Sequence, residues 1–306
     1  MLNSSKTLAL LLTVLISFHS IGQEQQDSME SNEIKFIGDP QLSIEEYLSI
    51  SQKYSEGKDY DSALYYLSAA EIIANSLEDK ELLADVKYKQ GRIFDQQSLY
   101  NQSETYYLEA IDLYSSIPDT TKTAKAYSRL GIAYKHSAKY SKAFEAFNSA
   151  LKYNIYANDS VSIAKTKVNI GNVFKNIGKL EKARRTYLEA LSIFIQYEDK
   201  KSIGNCYNNI GNVHKNQYNY DSAFYYMHQT RGIRIETEDE KGLSFVYHNL
   251  ANLHLRLENQ DSALYYIDES YRLKVKAGDL KGQAEDLEIY AEIYMSQENW
   301  QKSIRY

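Results

Sequence analysis

Three stretches of the chain carry the same polar side chains at the same spacing. Asn169, Asn172, Lys175 and Asn176 return forty residues on as Asn209, Asn212, Lys215 and Asn216. Asn249 and Asn252 follow in the next period, with Arg256 in the third asparagine's place, and Lys135 extends the lysine row backwards. An amide side chain offers a donor and an acceptor, as a peptide bond does. A lysine beside it favours acidic side chains or a carboxylate terminus. With Asn169 at zero and about 100° per helical residue, Asn172, Asn176 and Lys175 fall at about 300°, 340° and 240°. Ile170, Gly171, Phe174 and Lys167 fall between about 100° and 200°, on or beside the packing side. The asparagines therefore share the face opposite the packing stripe. Asparagine is a poor helix former, so a set of this size needs a reason. Two are open: the amides receive a ligand, or they are solvated or bond between neighbouring helices.

Little else offers chemistry. The chain has no phosphate-cradling glycine loop, no G-x-S-x-G elbow and no H-E-x-x-H. His248 and His254 are six apart and point to different sides of a helix. His214 and His254 take a place that other periods give to Tyr or Phe, which reads as packing. The single Cys206 cannot form an internal disulfide and reads as a small buried residue. The recurring Asp-Ser-Ala-Leu-Tyr-Tyr block (61–66 and 261–266, with Phe for Leu at 221–226) predicts one tyrosine packed between repeats and its neighbour wet on the outer face. The formal net charge of −6 leaves no basic footprint for nucleic acid. These residues predict no enzyme, no cofactor and no metal site.

The elements that hold the polar face repeat with the same period. Gly91, Gly131, Gly171 and Gly211 are 40 residues apart, and Ala251 and Ala291 continue the row. Twelve residues after each comes a small residue (Ser103, Ala143, Ala183, Ala223, Ala263, Ser303), and four later a large one in most periods (Tyr107, Phe147, Tyr187, Met227, Ile267). Leu180, Ala183, Tyr187, Ala190 and Phe194 are spaced as one helical face. A mid-helix glycine costs about 1 kcal/mol against alanine, so its recurrence predicts close approach of a paired helix, with the alanine twelve residues on as its counterpart. Asp79, Asp119, Asp159, Asp199, Asp239 and Asp279 mark the seams and suit helix N-caps.

Leu130-Gly131-x2-Tyr134 followed by Ala143-x3-Phe147 resembles the tetratricopeptide repeat, whose unit carries W-x2-L-G-x2-Y and then A-x3-F. The tryptophan place holds tyrosine, lysine or leucine instead, and the period is 40 rather than 34, which predicts longer helices. The resemblance implies an all-α, right-handed α-solenoid of about seven helix-turn-helix units over 44–306. It also implies that the first helix of each unit lines a concave groove in which asparagines grip an extended peptide. The residues that fall there by position are Asn169, Asn172, Asn209, Asn212, Asn249 and Asn252, and the shared helix face adds Lys175, Asn176, Lys215 and Asn216 as candidate peptide-binding residues.

Residues 1–22 read as a signal peptide: Lys6, an apolar run from Leu8 to Phe18, and small residues before Gly22. That run is too short for a permanent membrane anchor, and cleavage near Gly22 would place the chain in the periplasm or cell envelope. Residues 23–43 read as a flexible acidic linker. The last unit is incomplete at Tyr306, so Tyr290, Ile293 and Tyr294 are expected to be half covered. That end suggests a homodimer through it, or the sensor portion of a longer signal-transduction protein. The expected function is a non-catalytic scaffold binding an acidic protein or peptide. The alternatives are that sensor, of histidine-kinase or transcriptional-regulator type, or a self-associating envelope scaffold.

Overall fold

The structure, a computed structural model, describes residues 43–117 and 120–296. The expected signal peptide, nearly all of the linker, Asp119 and the stretch around Trp300 lie outside the described residues. Within them the chain forms thirteen α-helices and no strand. They are α1 (Ile44–Glu56), α2 (Tyr60–Ser76), α3 (Lys80–Gln96), α4 (Tyr100–Ser115), α5 (Thr120–His136), α6 (Tyr140–Tyr156) and α7 (Ser160–Asn176), then α8 (Leu180–Gln196), α9 (Lys200–Asn216), α10 (Tyr220–Glu236), α11 (Glu240–Arg256), α12 (Gln260–Lys276) and α13 (Leu280–Ser296). Two helices of 17 residues and two three-residue turns make up the 40-residue period. The longer unit does mean longer helices.

The three-residue turns share one construction. The middle residue has a positive φ, as at Asn158, Glu198, Glu238 and Gly178, which ends the helix in the left-handed region. The next amide then bonds back to the helix, Asp199 N reaching Phe194 O at 3.0 Å. Where that next residue is Asp or Asn it also caps the following helix, whereas Leu99 and Lys179 make no side-chain cap. Asp79, Asp159, Asp199 and Asp239 accept backbone N–H bonds at the starts of α3, α7, α9 and α11, and Asp279 accepts from Gly282 N. The expected caps are in place at these five seams.

The chain divides into two compact units within α6, one ending at Ala146 and the other beginning at Phe147. In the first, Ala63, Leu67, Ala70, Val86 and Ile93 form a core under α1 and α3. In the second, Ala183, Tyr187, Phe194, Cys206, Ile210 and Val213 form the core between α7 and α9, and Ala251, Ile267, Ile289 and Ile293 continue it under α11 and α13.

The glycines sit where paired helices meet, with Ala223 O 3.5 Å from a Cβ at Gly211, but at Gly91 and Gly171 the counterpart differs from the expected alanine. A Cβ on Gly91 would stand 2.8 Å from ring carbons of Tyr107, and one on Gly171 would stand 2.5 Å from Tyr187 Cε1. The facing group is thus the large residue sixteen positions on, one turn past the alanine, whose ring lies against the glycine. At Gly211 the nearest group is the flexible end of Met227, at 3.2 Å.

The tyrosine pairs also differ from expectation in part. Tyr225 and Tyr265 are exposed as predicted. Tyr66, Tyr226 and Tyr266 instead stack on Tyr54, His214 and His254 of the first helix in their own unit, at 5.3–5.5 Å between ring centres. Of the three residues expected to be half covered, Tyr290 and Ile293 are buried and Tyr294 alone is partly exposed.

Candidate functional site

The predicted residues lie on α7, α9 and α11, all in the second unit. Asn169, Asn172, Lys175, Asn209, Asn212, Lys215, Asn249 and Asn252 are partly buried, and Asn176 and Asn216 are exposed. Three amides are already engaged. Asn172 Oδ1 accepts the Tyr187 hydroxyl at 2.7 Å, Asn249 Nδ2 donates to Asn208 Oδ1 at 3.2 Å, and Asn252 Oδ1 accepts Arg256 Nε at 3.1 Å. Asn249 therefore bonds between repeats. Asn172 and Asn252 spend their carbonyl oxygens inside the protein and keep their Nδ2 groups to donate. The hydroxyl of Tyr187 reaches Asn172 because Gly171 leaves room for its ring against the helix.

The cations are what the structure brings together. Burial holds the Lys175 amine below the usual lysine range. Burial first, then Arg256 and Lys175, push the Lys215 amine down to about 8. Three successive first helices thus contribute one cation each to a common patch. None of the three pairs with a carboxylate among the described residues.

Other charged groups of this unit behave differently. Arg234, 4 % exposed, donates to Asp239 Oδ2 at 2.9 Å and to Asn205 Oδ1. Lys274 and Asp286 are buried and paired at 2.7 Å, with His248 Nδ1 and Ser270 Oγ on the same carboxylate, each at 2.7 Å. These clusters lie between repeats and were missed in the sequence. The signal was present: Arg234 and Lys274 stand in the register of Phe194, one and two periods later, where a core residue is due. His214 and His254 are ring-stacking residues, and burial keeps both imidazoles below the usual histidine range. Cys206 is fully buried, and burial followed by the Asp199 charge raises its thiol to about 12. No described helix is long and apolar enough to cross a membrane.

Tetratricopeptide repeat profiles match residues 82–153, 164–194 and 204–239. With the paired helices in phase around the recurring glycine, the chain is a tetratricopeptide repeat protein. No curated protein sequence matches it. Among solved structures, the apo form of RapI is similar at 18% identity and a TM-score of 0.70, covering 86% of this chain and 97% of RapI. A Rap protein complexed with competence and sporulation factor aligns at 19% identity and a TM-score of 0.63, over 90% and 75% of the two chains. The signal transduction ATPase PH0952 from Pyrococcus horikoshii, with its tetratricopeptide repeat sensor, aligns at 13% identity and a TM-score of 0.68, over 85% of this chain and 40% of that one. At these identities the likeness establishes the α-solenoid fold.

Proposed function

We propose that α7, α9 and α11 form a binding face for an extended acidic segment of a protein or peptide, captured without catalysis by an exported scaffold. The observation that carries this reading is the patch of Lys175, Lys215 and Arg256. Holding cations close together and partly out of water is costly, and a charge left without a partner keeps that cost. A ligand carboxylate would supply the missing partner, while the open Nδ2 groups of Asn172 and Asn212 donate to its backbone. That a protein of this fold was solved with a factor bound supports a binding role. The tetratricopeptide sensor in the signal transduction ATPase favours a second reading, in which this array is the sensing part of a longer signalling protein. Cleavage of residues 1–22 would place either form outside the cytoplasm, and fractionation of the native protein tests that.

The binding test uses an eight-residue glutamate-rich peptide and the full chain. Lys175→Gln with Lys215→Gln should weaken binding by about tenfold or more, the scale of a lost charge-assisted hydrogen bond. Asn172→Ala with Asn212→Ala should weaken it by about 1 kcal/mol per lost bond, with helicity unchanged. Equal affinity in wild type and both variants would reject the face.

A further inference from the structure

The first unit contains a cleft of about 230 Å³ whose walls come from α3, α4 and α5. Four cations line it, Lys89, Arg92, Lys122 and Lys125, against one carboxylate, Asp85. That carboxylate is already in use. It accepts the Tyr114 hydroxyl and pairs with Lys122 at 2.9 Å, and Lys122 pairs again with Glu81 at 2.8 Å. Lys89, Arg92 and Lys125 form no ion pair with any described residue. Burial, followed by the nearby Arg92 charge, lowers the Lys89 amine below the lysine range against the opposing pull of Asp85. Tyr88, which also lines the cleft, is hydrogen-bonded to Arg129. Asp95, whose carboxyl burial raises above the usual range despite Arg129, His136, Lys135 and Arg92 around it, does not line the cleft.

A chain of net charge −6 therefore carries in this unit a concave site whose free charge is positive. Low-dielectric walls of one sign focus the field on the space between them. The free donors are an arginine fork and two ammonium groups, more than one carboxylate can use. Their number suits an anion carrying two charges and several oxygens.

We propose that this cleft binds a phosphate-type dianion, held between Lys89, Arg92 and Lys125. The site is separate from the α7–α11 face and does not depend on that face binding a peptide. Tyr114 and Lys122 are positioning residues: by occupying Asp85 they keep the one internal carboxylate from neutralising the cleft.

Calorimetric titration of the full chain with inorganic phosphate, and with a phosphoserine peptide beside its unphosphorylated form, tests the site. Saturable phosphate binding, competed by sulfate, is expected at near-physiological salt. It should be at least tenfold weaker in Lys89→Gln with Arg92→Gln, and weaker in Lys125→Gln, whose exposed side chain puts the fold at no risk. Circular dichroism should show all variants fully helical, and Lys175→Gln with Lys215→Gln should bind phosphate as wild type does. Preference for the phosphopeptide over its unphosphorylated form means that the group arrives on a chain; uptake of inorganic phosphate alone means that it arrives free. Both support the site. No saturable binding of either ligand, or equal binding by wild type and the cleft variants, overturns it.

Discussion

Adding one methyl group at two equivalent glycines should change stability in opposite directions. Alanine is favoured over glycine within a helix by about 1 kcal/mol, so both Gly171→Ala and Gly211→Ala start from that gain. At Gly171 the new Cβ would lie 2.5 Å from Tyr187 Cε1 and 2.8 Å from Cδ1. Tyr187 is fully buried and its hydroxyl is tied to Asn172, so the ring cannot withdraw. Overpacking of this kind costs about 1–3 kcal/mol, which cancels or exceeds the gain. At Gly211 the closest atom is the Met227 terminal methyl at 3.2 Å, with Tyr226 Cβ at 3.3 Å. A methionine end swings aside cheaply, so most of the gain survives. Thermal unfolding followed by circular dichroism should place Gly171→Ala below wild type and Gly211→Ala above it. The separation should be several degrees, since 1 kcal/mol moves Tm by roughly 2–4 °C in chains somewhat shorter than this one. Tyr187→Met in the Gly171→Ala background should recover part of the loss, less about 1 kcal/mol for the missing Asn172 bond. A Gly171→Ala chain as stable as Gly211→Ala would refute the argument that the facing side chain sets the glycine.

The remaining expectations concern charge and burial. An acidic ligand favours charged Lys215, whose free amine titrates at about 8. Affinity for the glutamate-rich peptide should therefore stay level below neutral pH and fall as pH rises through 8, and a flat profile to pH 9.5 would remove Lys215 from the site. Burial holds the Cys206 thiol near 12, so the folded chain should resist thiol reagents at pH 8 and react only when unfolded. Reaction within minutes under native conditions would contradict its burial. Lys274→Ala leaves Asp286 buried without its cation and should cost about 3–5 kcal/mol in denaturant unfolding. Lys276→Ala removes only a surface pair with Glu240 and should change stability by less than about 1 kcal/mol. Equal losses would show that the buried pair is no more demanding than the exposed one.

The fold was legible because its causes are local and recur. Asp159 and Asp199 announce helix starts, and the Leu180–Phe194 spacing announces a buried face, whatever lies beyond the pair. The left-handed turn residues were harder to see, since Glu198 and Glu238 do work that glycine does at 178 and 278. The placement of the asparagines on one face followed from helical angles. That Asn172 would hand its oxygen to Tyr187 did not, because the bond depends on Gly171 leaving room for a ring against the helix. The cation patch lay in view as single residues. Its meaning came only when Lys175, Lys215 and Arg256 met without a carboxylate, since pairing depends on neighbours from other repeats. Arg234 and Lys274 were passed over because a repeat reading averages positions, and their chemistry lies in departing from the average.

Those two residues occupy the fifteenth place of α10 and α12, and the series at that place runs Ala74, Tyr114, Asn154, Phe194, Arg234, Lys274. From Tyr114 onward the chemistry at this place differs in every helix, within the pair or across to the next. Tyr114 meets Asp85, Asn154 meets Thr166, Phe194 joins an apolar cluster, Arg234 meets Asn205 and Asp239, and Lys274 meets Asp286. A chain of near-identical helices runs the hazard of docking a helix one period out of place, because the hydrophobic stripe cannot tell one neighbour from the next. Here a slipped α13 would part Asp286 from Lys274 and break a buried ion pair, at a cost of several kcal/mol. The seams thus serve as addresses: each helix pair is marked for a single neighbour, and the order of the array is written into its interior.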